Sequence, residues 1–70
     1  MNTEYEIRVF FSPEDDVWVA DIPALRHCSA HGRTPHEAVA EVEIAAEAWL
    51  EAAASTGRPV PEPTTRRVQA

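Results

Sequence analysis

The segment Gly32-Arg33-Thr34-Pro35-His36-Glu37-Ala38 constrains this chain more than any other, because it fixes where extended chain gives way to helix. Thr34 can accept a hydrogen bond from a first-turn N–H, Pro35 suits the first helical position, and Glu37 stands where a capping box places its acid. From residue 35 to about 56 there is no glycine and no second proline, alanine is abundant, and Gly57 stands where a helix end uses a left-handed residue. The spacing predicts one helix of about six turns. Steps of ~100° per residue gather Ala38, Val39, Val42, Ala45, Ala46, Trp49, Leu50 and Ala53 into one apolar stripe. Glu37, Glu41, Glu43, Glu47 and Glu51 fall on the opposite side, leaving an acidic face for solvent or a partner.

Upstream the period changes from helical to alternating. In residues 5–11, Tyr5, Ile7, Val9 and Phe11 share one face and Glu6, Arg8 and Phe10 the other, which predicts a strand. Ser12-Pro13-Glu14-Asp15-Asp16 reads as a polar turn, and Val17-Trp18-Val19-Ala20-Asp21-Ile22 resumes the β pattern to complete a hairpin. After Pro23 interrupts the ladder, His27-Cys28-Ser29-Ala30 can return as a short third strand before Gly32. Beyond the helix, residues 58–63 place prolines at alternate positions and are expected to run extended, while 64–70 either add a short edge strand or fray. The expected architecture is therefore α+β: a three-stranded antiparallel meander with one long helix on one face and room for a short C-terminal strand. Residues 1–70 read as a single domain with a core at about 5–57 and a Pro-rich tail at 58–70. No internal repeat or DNA-binding domain is evident.

A hairpin apolar on both faces poses a problem that one helix cannot solve. If Ile7, Val9, Phe11, Val17 and Val19 face the helix, then Phe10, Trp18, Ala20 and Ile22 crowd the other side, and such a patch suggests a subunit interface. Self-association, as a dimer or tetramer through Phe10, Trp18 and Ile22, is favoured over a C-terminal segment folding back across the patch. Length points the same way. Seventy residues bury a modest core, and the single cysteine, Cys28, excludes an internal disulfide framework, so oligomerisation is the remaining common support.

Twelve acids against six arginines give a net charge of −6, which opposes binding to a phosphate backbone. Direct nucleic-acid contact is not expected, whereas a basic protein would be attracted. No apolar run approaches a membrane span, and the N-terminus lacks the basic start and apolar core of a signal peptide, so a cytoplasmic chain is expected.

Residues able to carry chemistry are present without the arrangements chemistry needs. His27, Cys28, His31 and His36 match no zinc-ligand spacing, and neighbours on a strand point to opposite faces. Glu14, Asp15 and Asp16 lie together in one turn, whereas a metal clamp draws on separate elements. Cys28 has no orienting third group, Ser12, Ser29 and Ser55 sit in no nucleophile elbow, and two glycines cannot make a phosphate loop. No enzyme, catalytic residue, metal or cofactor is expected.

Several of these pieces also occur in one order within a known family. A first strand opening at Tyr5, the acidic turn Glu14-Asp15-Asp16, Val17-Trp18-Val19-Ala20-Asp21-Ile22-Pro23 followed by Leu25, and Ser29 before Gly32-Arg33-Thr34-Pro35-His36-Glu37-Ala38 together resemble the HicB-like antitoxins. Gly57-Arg58-Pro59-Val60-Pro61-Glu62-Pro63 looks like that family's Gly-x-x-(Ile/Val)-Pro-x-Pro ending. The resemblance implies a β-β-β-α-β domain, similar to a truncated RNase H or a double-stranded-RNA-binding fold, without RNase H's catalytic carboxylates. It further implies a protein that binds and neutralises a small basic HicA-like toxin that cleaves mRNA. Two-domain members append a DNA-binding domain, for which this sequence shows no counterpart. From charge, the expected toxin contacts are Glu14, Asp15, Asp16, Glu37, Glu41, Glu47 and Glu51. The competing expectation is an orphan homo-oligomeric adaptor or small-ligand module with no toxin partner.

Overall fold

The computed structural model describes residues 5–61. Three strands, β1 (Arg8–Ser12), β2 (Val17–Asp21) and β3 (Ser29–Gly32), form an antiparallel sheet in the order β1-β2-β3, and α1 (Pro35–Thr56) follows. The chain is thus α+β as expected, and the proposed strand within 64–70 lies outside the described residues.

The helix begins and ends on the residues that announce it. Thr34 is the N-cap in an extended conformation, and its side-chain oxygen accepts from the Glu37 N–H at 3.0 Å. The Glu37 carboxylate in turn accepts from the Arg33 N–H at 2.6 Å, one residue before the cap, so two donors are satisfied reciprocally. At the other end Gly57 takes φ 75°, and the Gly57 and Arg58 N–H groups donate to the carbonyls of Ala54 and Ala53. A Cβ at Gly57 would meet nothing, so the cost of Gly57→Ala is purely that of the left-handed backbone. The expected loss is about 1 kcal/mol in a denaturant titration, and an unchanged midpoint would show that the helix ends without this turn.

The hairpin corrects one expectation. Ser12 pairs with Val17 across the four residues 13–16, so every odd residue of β1 faces an even residue of β2: Val9 opposes Ala20 and Phe11 opposes Trp18. Because side chains alternate, that parity moves Trp18, Ala20 and Ile22 to the helix side with Val9 and Phe11, and puts Val17 and Val19 on the open side with Phe10. Asp16 permits the turn by adopting φ 57° while its N–H donates to the Ser12 carbonyl at 2.8 Å. Asp tolerates this left-handed conformation better than most side chains.

Between sheet and helix, Tyr5, Ala20, Ile22, Leu25 and Cys28 pack with Ala38, Val42 and Ala46. The apolar stripe expected on α1 is the one found: its other members, Val39, Ala45, Trp49 and Leu50, pack against this cluster from its margin, and Ala53 is buried as well. The β2–β3 connection plugs one end of the layer. Its backbone closes on itself through Ile22 N–H to the Cys28 carbonyl, Leu25 N–H to Ile22 and Cys28 N–H to Leu25, each at 3.0 Å, which drives Leu25 inward. Past the helix the chain returns to the N-terminal edge, where the Tyr5 hydroxyl donates to the Pro61 carbonyl.

Candidate interaction surfaces

The acidic residues singled out by charge are exposed but do not converge. Glu14, Asp15 and Asp16 occupy the β1–β2 turn, whereas Glu41, Glu47 and Glu51 follow the outward side of α1 along its length. Among the described residues, none of these six carboxylates has a cationic partner. Glu37 differs because its carboxylate is engaged at the helix start. Ile44, 61% exposed, sits on the same outward side as Glu47 and Glu51 and adds an apolar spot to an otherwise charged surface. Among the described residues, no three of His, Cys, Asp and Glu are grouped so as to hold a metal ion.

Of the three residues expected to mediate self-association, only Phe10 lies on the open side. Ile22 is 1% exposed within the core, and Trp18 packs on the helix side with its ring 5.4 Å from that of Phe11, edge to face. The open side carries cross-strand rows: Phe10, Val19 and His31 form one, Ser12 and Val17 another, and Arg8, Asp21 and Ser29 a third. Phe10 is 47% exposed there. Arg8 and Asp21 pair through two guanidinium nitrogens, Nε at 3.3 Å and Nη2 at 3.1 Å, and Glu6, on the same side, adds a second negative charge near Arg8. An exposed pair of this kind adds little stability.

Two grooves escaped the sequence reading. Because α1 lies mainly over β2 and β3, the helix-side residues of β1 are incompletely covered, leaving a groove of about 420 Å³ lined by Val9, Pro35, His36, Val39, Ala40 and Glu43. The second, of about 310 Å³, lies where the returning tail meets the β2–β3 connection; Trp49 and Pro61 line it between Arg26 and Arg58. The Trp49 indole N–H there donates to the Arg26 carbonyl at 3.0 Å. The first groove depends on how far the helix is offset across the sheet and the second on where the chain returns after it, neither of which periodicity alone encodes.

Cys28 is buried, and burial, followed by the negative charge of Asp21, pushes its thiol above the ordinary value. The folded chain therefore holds this proton more tightly than the unfolded chain. The resulting stabilisation is complete below the unfolded thiol value of ~8.5 and is lost as pH rises through the folded value. Melting temperature should consequently fall as pH rises above the unfolded thiol value, and that of Cys28→Ala should fall less steeply; parallel profiles would remove the thiol as the cause.

Compared with family models, curated proteins and solved structures, the chain matches none. Among the described residues, no helix is long and apolar enough to cross a membrane.

Proposed function

We propose that this domain is a protein-binding module of the HicB-like antitoxin class, which captures a small basic, HicA-like mRNA-cleaving toxin in the cytoplasm and blocks its RNA-binding surface. The observation that carries the reading is the outward side of α1, where Glu41, Glu47 and Glu51 stand exposed, without cationic partners among the described residues, on a chain of net charge −6. Such a surface competes for the same field that RNA would occupy, and its main effect is on encounter rate and partner choice. The role is binding, not catalysis.

Co-expression with the adjacent reading frame, followed by affinity purification and a growth assay, tests the proposal. A basic protein should co-purify, dissociate as salt is raised, and lose its toxicity in the presence of this chain. Neutralising the outward acids together, by Glu41→Gln, Glu47→Gln and Glu51→Gln, should weaken capture roughly tenfold or more without altering the melt. Absence of both partner and rescue would overturn the reading.

The uncovered apolar side of the sheet favours a second reading, that of a homo-oligomeric adaptor or small-ligand module, dimeric or tetrameric, with no toxin partner. Pull-down with a basic protein separates the two, because a module of this second kind self-associates and ignores basic proteins.

A further inference from the structure

We infer that the groove between the β2–β3 connection and the chain leaving α1 binds a small aromatic carboxylate, whose ring packs on Trp49 and whose anionic group meets Arg26 and Arg58. The site goes beyond both functional readings above, since it lies neither on the outward side of α1 nor on the open side of the sheet. Its parts are far apart in sequence. Pro23 and Arg26 precede β3, Trp49 belongs to the second half of α1, and Arg58, Pro59 and Pro61 follow the helix. The fold brings them to one groove of about 310 Å³, at the small end of the ~300–1,000 Å³ usual for small-molecule sites.

The charge of this groove runs against that of the chain. Twelve acids outnumber six arginines, yet among the described residues two arginines and no carboxylate line it. Neither the Arg26 nor the Arg58 guanidinium has a hydrogen-bond or ion-pair partner among the described residues, unlike Arg8, which Asp21 holds. The neighbouring acids in sequence point elsewhere: Asp21 is bonded to Arg8, and Glu47 and Glu51 follow the outward side of α1. Glu62, next after Pro61, lies outside the described residues and is the chain's own competitor for the site.

What the groove offers is held in place before any ligand arrives. Trp49 spends its indole N–H on the Arg26 carbonyl at 3.0 Å, which fixes the ring and leaves its carbon surface to the groove. Arg26 hangs from a connection closed by Leu25 N–H to Ile22 and Cys28 N–H to Leu25. The Arg58 N–H is bonded to the Ala53 carbonyl at 2.9 Å, just past the left-handed Gly57. Both side chains therefore leave from a fixed backbone, and a ligand does less ordering on arrival. A guanidinium fork matches a carboxylate through paired N–H donors, and a flat ring covers indole and proline surface. A bare anion would leave that surface uncovered, and a neutral ring would leave the arginines unmatched.

Titration of the isotope-labelled chain with benzoate, followed by NMR, is the test. Trp18, the other of the two tryptophans, lies on β2 away from this groove and is the internal reference. Millimolar benzoate should shift the Trp49 indole N–H and the Arg26 and Arg58 amide signals along one saturable curve, with the Trp18 indole N–H left in place. Benzamide, which has the ring without the charge, and acetate, which has the charge without the ring, should each bind roughly tenfold more weakly or worse. Arg26→Gln and Arg58→Gln, both at exposed positions, should each weaken benzoate roughly three- to tenfold, with the circular dichroism spectrum held. Glu62→Gln should bind benzoate at least as tightly as the wild type. The inference is overturned by a silent Trp49, by benzamide or acetate matching benzoate, or by glutamine variants that both bind as well as the wild type. Binding seen only in Glu62→Gln overturns it too, by giving the groove to the chain's own carboxylate. None of these outcomes touches toxin capture, which is read from co-purification.

Discussion

Ile22→Ala is expected to cost about 2–5 kcal/mol, whereas Phe10→Ala, twelve residues earlier on the same hairpin, should leave the stability of dilute protein within about 0.5 kcal/mol. The contrast follows from which side of the sheet each occupies. Ile22 is 1% exposed and packs among Leu25, Cys28 and the buried side of α1, where rigid neighbours would not close the space that the lost atoms leave. Phe10 stands half in solvent on the opposite side. For a domain of this length each kcal/mol shifts the melting temperature by about 4–8 °C, so Ile22→Ala should lower it by at least about 8 °C, or leave the chain largely unfolded at room temperature. Thermal and urea melts of both variants at low micromolar concentration provide the check. Equal, small losses would mean that Ile22 is not part of the core; equal, large ones would mean that Phe10 is covered within one subunit.

Gly32→Ala should destabilise by about 1–3 kcal/mol, for the opposite reason: too much matter, not too little. A Cβ built on Gly32 would come within 2.5 Å of the Ala38 backbone nitrogen and 2.8 Å of both the carbonyl carbon and the Cβ of Glu37. Most of this obstruction is the backbone of the first helical turn, which cannot turn aside as a flexible side chain can. The methyl must push the helix N-terminus off β3, loosening Ala38 from the core and straining the Thr34–Glu37 cap together. Differential scanning calorimetry should show the loss, and hydrogen exchange should show the first turn of α1 opening more often than its middle. A melt indistinguishable from wild type would imply that the helix start has room to shift.

The helix was legible from sequence because its limits are chemically marked: an N-cap side chain, a proline at the first position and a left-handed glycine are local signals that tertiary structure had no reason to override. The first two strands were legible from alternation, although the first begins at Arg8, later than Tyr5; the third, expected at His27-Cys28-Ser29-Ala30, runs instead from Ser29 to Gly32. The side each strand presents was not legible in the same way. It depends on the register of the hairpin, and an even loop of four residues reverses the parity that a simple reading assumes, which is why Trp18 and Ile22 passed from a supposed interface to the helix side, Ile22 into the core and Trp18 to its margin. Offset was equally hidden: nothing local says that α1 sits over β2 and β3 and leaves Val9 at the wall of a groove. Charge grouped Glu37 with Glu41, Glu47 and Glu51, whereas the capping-box spacing marked it for the helix start, where its carboxylate is engaged.

The bond between the Tyr5 hydroxyl and the Pro61 carbonyl brings the two limits of the described chain within reach of a single phenol side chain. Entry and exit at one corner make the fold nearly a closed ring. It could thus be spliced into a surface loop of an unrelated host with short connectors, or joined end to end and cut open at the exposed 13–16 turn, with little change to the packed layer between.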